Sequence, residues 1–95
     1  MTIDQKIVPR RSDRLAARTI EGKAVLVVLD AHALHTLNEV GTRVFELCDG
    51  THDVQAIVAA IVREFEVEPV VAQEDVQRFL RELSDAGALA LGDAA

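Results

Sequence analysis

The sequence predicts an α+β fold in which three strands precede three helices, and three observations carry that prediction. Residues 25–29, Val-Leu-Val-Val-Leu, form an apolar run entered through the short Glu21-Gly22 turn. From Asn38 onward the hydrophobic period changes from that of a strand to that of a helix. No helical segment separates the early strands, which excludes a βαβ arrangement. A chain of 95 residues, 49% hydrophobic, supports one domain with a single modest core. With three Phe and no Trp or Tyr, that core is aliphatic.

Taken in order, "LAARTI" (15–20) meets "KAVLVVL" (23–29) across the Gly-containing turn as a hairpin. The second of these strands lacks alternation, the pattern of a central strand covered on both faces. Asp30-Ala31-His32 makes the next turn, leading to a short third strand, "ALHTL" (33–37). Asn38 then caps a helix whose stripe is Val40, Val44, Leu47 and Cys48, with Gly50 as its stop. Asp53 caps a second helix, in which Val54, Ile57, Val58, Ile61, Val62 and Phe65 recur on one face. Pro69 opens a third, which buries Val76, Phe79, Leu80 and Leu83 and ends at Gly87. Glu74–Arg78, Arg78–Glu82 and Arg81–Asp85 are spaced as i,i+4 ion pairs on its outer side. Residues 1–13 read as a flexible arm, 14–91 as the folded domain and 92–95 as a disordered tail.

Charge and composition narrow the function. The net charge is −6. Through residue 23 the bases Lys6, Arg10, Arg11, Arg14, Arg18 and Lys23 outnumber the acids Asp4, Asp13 and Glu21, so the remainder is strongly acidic. An acidic body repels phosphate backbones and argues against nucleic acid as a partner. No apolar run reaches the roughly 20 residues of a membrane span, and the N-terminus has no secretory signal. A single cysteine fits a reducing, cytoplasmic setting.

The stretch "ELCDGTHD" (46–53) gathers a thiol, an imidazole and carboxylates, yet reads as a helix junction. Cys48 sits at a helix C-terminus beside Asp49, where dipole and carboxylate both oppose a thiolate, so a buried structural role is expected. His52 lacks the partners of a four-ligand zinc site, and His32 with His35 gives only an H-x-x-H spacing. No phosphate loop or nucleophile motif occurs. A non-enzyme without metal or cofactor is the expectation.

The order and spacing of several short motifs resemble one family. Leu37-Asn38, Gly41, Val44 to Leu47, Asp49-Gly50, Val54-x-x-Ile57-Val58, and Asp75-Val76-x-x-Phe79-Leu80-x-x-Leu83 with Gly87 are similar to the PqqD family, the peptide chaperones also called RiPP recognition elements. The resemblance covers roughly residues 14–91. It implies a three-stranded antiparallel sheet followed by a three-helix bundle, winged helix-turn-helix-like. It also implies a function: holding the leader segment of a ribosomally made precursor peptide and presenting it to a modifying enzyme, often a radical SAM protein. The implied site is the third strand, Ala33, Leu34, His35, Thr36 and Leu37, faced by Asp75, Val76, Arg78, Phe79 and Glu82 of the last helix. An added strand would draw affinity from backbone bonds. The Asp30–Ala33 turn lacks the Pro-containing segment of dedicated pyrroloquinoline quinone members, which points to a recognition element for another peptide. The competing readings are a DNA-binding winged helix, disfavoured by the acidic last helix, and a homodimer formed through the same open edge.

Overall fold

The structure, a computed structural model, describes residues 3–29 and 33–92. Its elements are β1 (Arg10–Arg11), β2 (Leu15–Ile20), β3 (Lys23–Val28), β4 (Ala33–Thr36), α1 (Glu39–Leu47), α2 (Val54–Phe65), α3 (Pro69–Asp85) and β5 (Leu89–Ala90). β2, β3 and β4 form the expected antiparallel sheet in that order, and β1 pairs with β5 in a separate two-stranded ribbon. Asp30, Ala31 and His32 of the expected turn, and residues 93–95 of the expected tail, lie outside the described residues.

The β2–β3 hairpin turns on Glu21 and Gly22, both with positive φ (53° and 80°), the conformation of a type I′ turn. That turn's twist matches the twist of the strands it joins. β3 is central, as expected, but it is not covered on both faces. Ala24, Leu26 and Val28 are buried under the helices, whereas Val25 and Val27 stay half-buried on the other side. The unbroken run misleads here because β-branched valines suit an open sheet face almost as well as a covered one.

Each helix starts where the sequence placed it. The Asn38 side chain accepts a 2.7 Å hydrogen bond from the Gly41 amide, and Asp53 accepts one of 2.8 Å from Ala56. α3 starts on Pro69 and closes with a Schellman motif: Ala88 N–H donates to Leu83 and Gly87 N–H to Ser84. Gly87 holds φ at 83° there, a conformation that favours glycine. Gly50 also has positive φ but is not the stop of α1, which ends at Leu47 with Cys48 as its cap. Its amide instead donates to Pro9.

That bond belongs to a segment the sequence had assigned to a flexible arm. Residues 3–11 are packed. Ile3 is buried, and the buried Gln77 side chain bonds both its N–H (2.7 Å) and its carbonyl (2.8 Å). The carbonyls of Ile7 and Gln5 accept from Val54 and Gln55, the first two amides of α2, which have no partner within their own helix. β1 then pairs with β5. The partners of this segment elsewhere in the chain lie more than 30 residues away in sequence, so no local periodicity announces it. Leu26, Val44, Cys48, Val54, Ile57, Ile61, Val76 and Leu80 form the centre of the core.

Candidate functional site

Backbone parity decides which groups β4 offers. Leu37 N–H donates to Ala24 O, and on the other side of β3 Leu29 N–H donates to Arg14 O. Antiparallel ladders alternate hydrogen-bonded and non-bonded pairs. The even-numbered residues of β3 therefore bond toward β4, and the odd-numbered ones toward β2. On β4, Ala33 and His35 face β3 with their polar groups. The N–H and C=O of Leu34 and Thr36 point away, to an edge that no strand occupies among the described residues.

Side chains alternate the other way. His35 lies opposite Leu26 and so points toward the helices, while Leu34 and Thr36 lie opposite Val27 and Val25 on the open face. Leu34 is 66% exposed. His35 is half-buried, and its Nε2 is buried without a hydrogen-bond partner. Leu37 is a core residue: its side chain offers no surface, although its backbone continues the strand.

Just past the end of β4, where Asn38 leads into α1, α1 and α3 meet through Gly41 and Phe79. A Cβ at Gly41 would fall within 2.7 Å of Phe79 Cζ, so the glycine lets the ring lie against α1. The two helices enclose a hollow of about 100 Å³ lined by Asn38, Val40, Gly41, Val44, Asp75, Arg78 and Phe79. Its lining is mixed, apolar at Val40, Val44 and Phe79 and polar at Asn38, Asp75 and Arg78, and its charged members pair with each other, Arg78 Nη2 lying 3.2 Å from Asp75 Oδ1. That i,i+3 pair replaces the expected links of Arg78 to Glu74 and Glu82; Glu82 is exposed. Val76, placed at the site from sequence, is fully buried beneath it. Of the residues read from sequence, the structure thus joins Asp75, Arg78 and Phe79 in one hollow and leaves Val76 and Leu37 in the core. Val40 was read only as part of a helix stripe, and Val44 as part of that stripe and of the family motif. Gly41 on the amphipathic helix α1 was the one local signal of the close approach.

The "ELCDGTHD" junction is built as a scaffold. Burial pushes the Cys48 thiol up to about 12; nearby Arg11 pulls it down and Asp49 pushes it further up. Such a thiol is protonated and unreactive at neutral pH. Asp49 is held at about 2, first by the Thr51 hydroxyl (2.6 Å) and backbone N–H (2.9 Å), then by His52 Nδ1 (3.1 Å). Among the described residues no group of three His, Cys, Asp or Glu side chains could hold a metal ion, and His32 lies outside them. No described helix is long and apolar enough to cross a membrane.

Residues 23–89, well over half of the chain, match the family model described as coenzyme PQQ synthesis protein D (PqqD). The chain belongs to the PqqD family. No curated protein sequence matches this PqqD-family chain significantly. Among solved structures it is similar to TbiB1 in complex with the TbiA(beta) leader peptide. They share 27% identity at a TM-score of 0.80, over 88% of this chain and 98% of that one. A lasso peptide synthetase B1 complexed with its leader peptide shares the fold at TM-score 0.78 and 17% identity, over 87% and 98%. So does the PqqD truncation of Methylobacterium extorquens PqqCD, described as a functional, stand-alone RiPP recognition element. Its TM-score is 0.70 at 24% identity, over 87% and 88% of the two chains.

Proposed function

We propose that this PqqD-family chain binds the leader segment of a ribosomally synthesised precursor peptide and presents it to a modifying enzyme, of radical SAM type in the family's usual pairing, without catalysing chemistry itself. The leader adds as a strand along β4. The observation that carries this reading is the free edge at Leu34 and Thr36, whose two N–H and two C=O groups face away from β3. An edge of this kind binds an extended peptide through its backbone, while neighbouring hollows discriminate among side chains. The hollow between α1 and α3 serves that second role. The leader-bound TbiB1 structure, similar over nearly the whole of both chains, supports the same reading.

The catalytic alternative has little chemistry to draw on, since the chain's one thiol is buried and protonated. Duplex DNA is disfavoured because α3 carries Glu74, Asp75, Glu82 and Asp85 against Arg78 and Arg81. The test is a titration of isotope-labelled protein with synthetic leader peptides from short reading frames beside its gene, and with duplex DNA at low salt. Amide shifts confined to residues 33–37 and 73–83 are the expected result. Salt-sensitive DNA binding with no peptide response refutes the reading. A mass that doubles with concentration, together with no peptide response, assigns the edge to a homodimer instead.

A further inference from the structure

The open face of the sheet carries an order that the groove of the proposed leader site, the hollow between α1 and α3, does not use. Antiparallel register aligns Ala16, Val27 and Leu34 in one row across the three strands, and Arg18, Val25 and Thr36 in the next. The first row is wholly apolar and runs out at the free edge, where Leu34 is 66% exposed and, among the described residues, has no strand neighbour beyond it. Exposed sheet edges are usually blunted by a charge, a proline or a bulge. β4, Ala-Leu-His-Thr, has none of the three.

We infer that Leu34 is a specificity-determining residue of the leader site, selecting a leader segment with an apolar, aromatic or β-branched side chain at the position directly opposite it. The inference rests on the strand-addition reading above and deepens it. A strand added to β4 sends alternate side chains to opposite faces. The guest residue opposite Leu34 therefore projects onto the open face, where directly opposed Cβ atoms stand about 4.5–5.5 Å apart. It extends the Ala16–Val27–Leu34 row by one member and takes Leu34 out of water. Its neighbours in the guest strand point toward the helices and contribute to the groove instead. Recognition is therefore two-sided: the groove reads one set of alternate leader residues, and Leu34 reads a member of the other.

The test uses the full chain and a random dodecapeptide library displayed on phage. An enriched peptide that shifts the amides of residues 33–36 is synthesised and alanine-scanned against wild type, Leu34→Val and Leu34→Thr. Valine and threonine have nearly the same shape and differ in the hydroxyl, and at so exposed a site neither changes the fold. The expected result is one apolar peptide position whose alanine substitution weakens binding about two- to fivefold on wild type and Leu34→Val, the upper range of a cross-strand pair. On Leu34→Thr that cost shrinks to nothing. The same peptide residue gives NOEs to the methyls of Leu34. Identical alanine costs on all three proteins overturn the inference and leave strand addition standing. A library in which no peptide shifts the β4 amides removes strand addition, and this inference with it.

Discussion

Replacing Thr36 by proline separates the outward groups of β4 from the inward ones. The Thr36 N–H faces the free edge, so removing it takes no bond from the β3–β4 ladder, and proline is tolerated in a strand where its nitrogen faces solvent. A strain of roughly 1 kcal/mol is expected as φ shifts toward −65°. Binding responds much more. The edge offers four backbone groups through Leu34 and Thr36, and each hydrogen bond contributes a net of about 0.5–1.5 kcal/mol. Together they supply about 2–6 kcal/mol, or a factor of about 30 to 10⁴ in Kd. Proline deletes one donor and sets its ring in the path of the incoming strand, which disturbs the adjacent bonds as well. Thr36→Pro should weaken leader binding by about tenfold or more. Its neighbour is the control: His35 bonds toward β3, so His35→Pro breaks the ladder and unfolds or severely destabilises the sheet. Fluorescence anisotropy with a labelled leader peptide gives the affinity, and thermal unfolding followed by circular dichroism gives the stability. Wild-type affinity in Thr36→Pro, or equal melting temperatures for the two proline variants, would refute the parity assignment and with it the edge as the binding surface.

Four further outcomes follow from particular contacts. Gln77→Leu removes both bonds to Ile3 and strands two buried backbone groups, a loss of about 1–3 kcal/mol for each. At roughly 4–8 °C per kcal/mol for a domain of this size, thermal unfolding should show a clear drop. Gly41→Ala gains helix propensity but drives a Cβ into the Phe79 ring, so the net change should be destabilising by about 1–3 kcal/mol, measured by urea unfolding; a more stable variant would show that the ring moves aside freely. Cys48 should resist iodoacetamide at pH 8 in the native protein and react once unfolded, as mass spectrometry would register. The Asp49 carboxyl titrates at about 2, below its usual 3.8, so its contribution to stability is present above pH 3.8 and is lost as pH falls toward 2. Thr51→Val removes the hydroxyl and should move that midpoint upward in a carbon-detected NMR titration.

Much of the fold could be read locally because its signals are local. Asn38 and Asp53 bond amides three residues ahead, Glu21-Gly22 closes its own turn, and Gly87 ends its own helix. The stripe of α2 needs only a period. The candidate site was legible in part. The strand over residues 33–37 was read from the chain itself and assigned to the site through resemblance to a family, while the hollow that joins Asp75, Arg78 and Phe79 to Val40 and Val44 depends on how α1 crosses α3. Val76 and Leu37 show the limit of that reading, because position on an element does not say which face is covered. Arg78 shows it again, since sequence spacing allows three acidic partners and the side chain takes Asp75.

The sequence by itself determined the order of the three-stranded sheet and the three helices, their caps and the aliphatic core, since these rest on periodicity and short-range hydrogen bonds, and its short motifs carried the resemblance to the PqqD family. Tertiary structure alone decided that residues 3–11 strap the helices, because Gln77 and the first amides of α2 are their partners. It also decided that one face of β3 stays open and that Leu34 and Thr36, rather than their neighbours, carry the free edge. Those outcomes depend on register and on which faces meet, and both are fixed by packing between segments far apart in the chain.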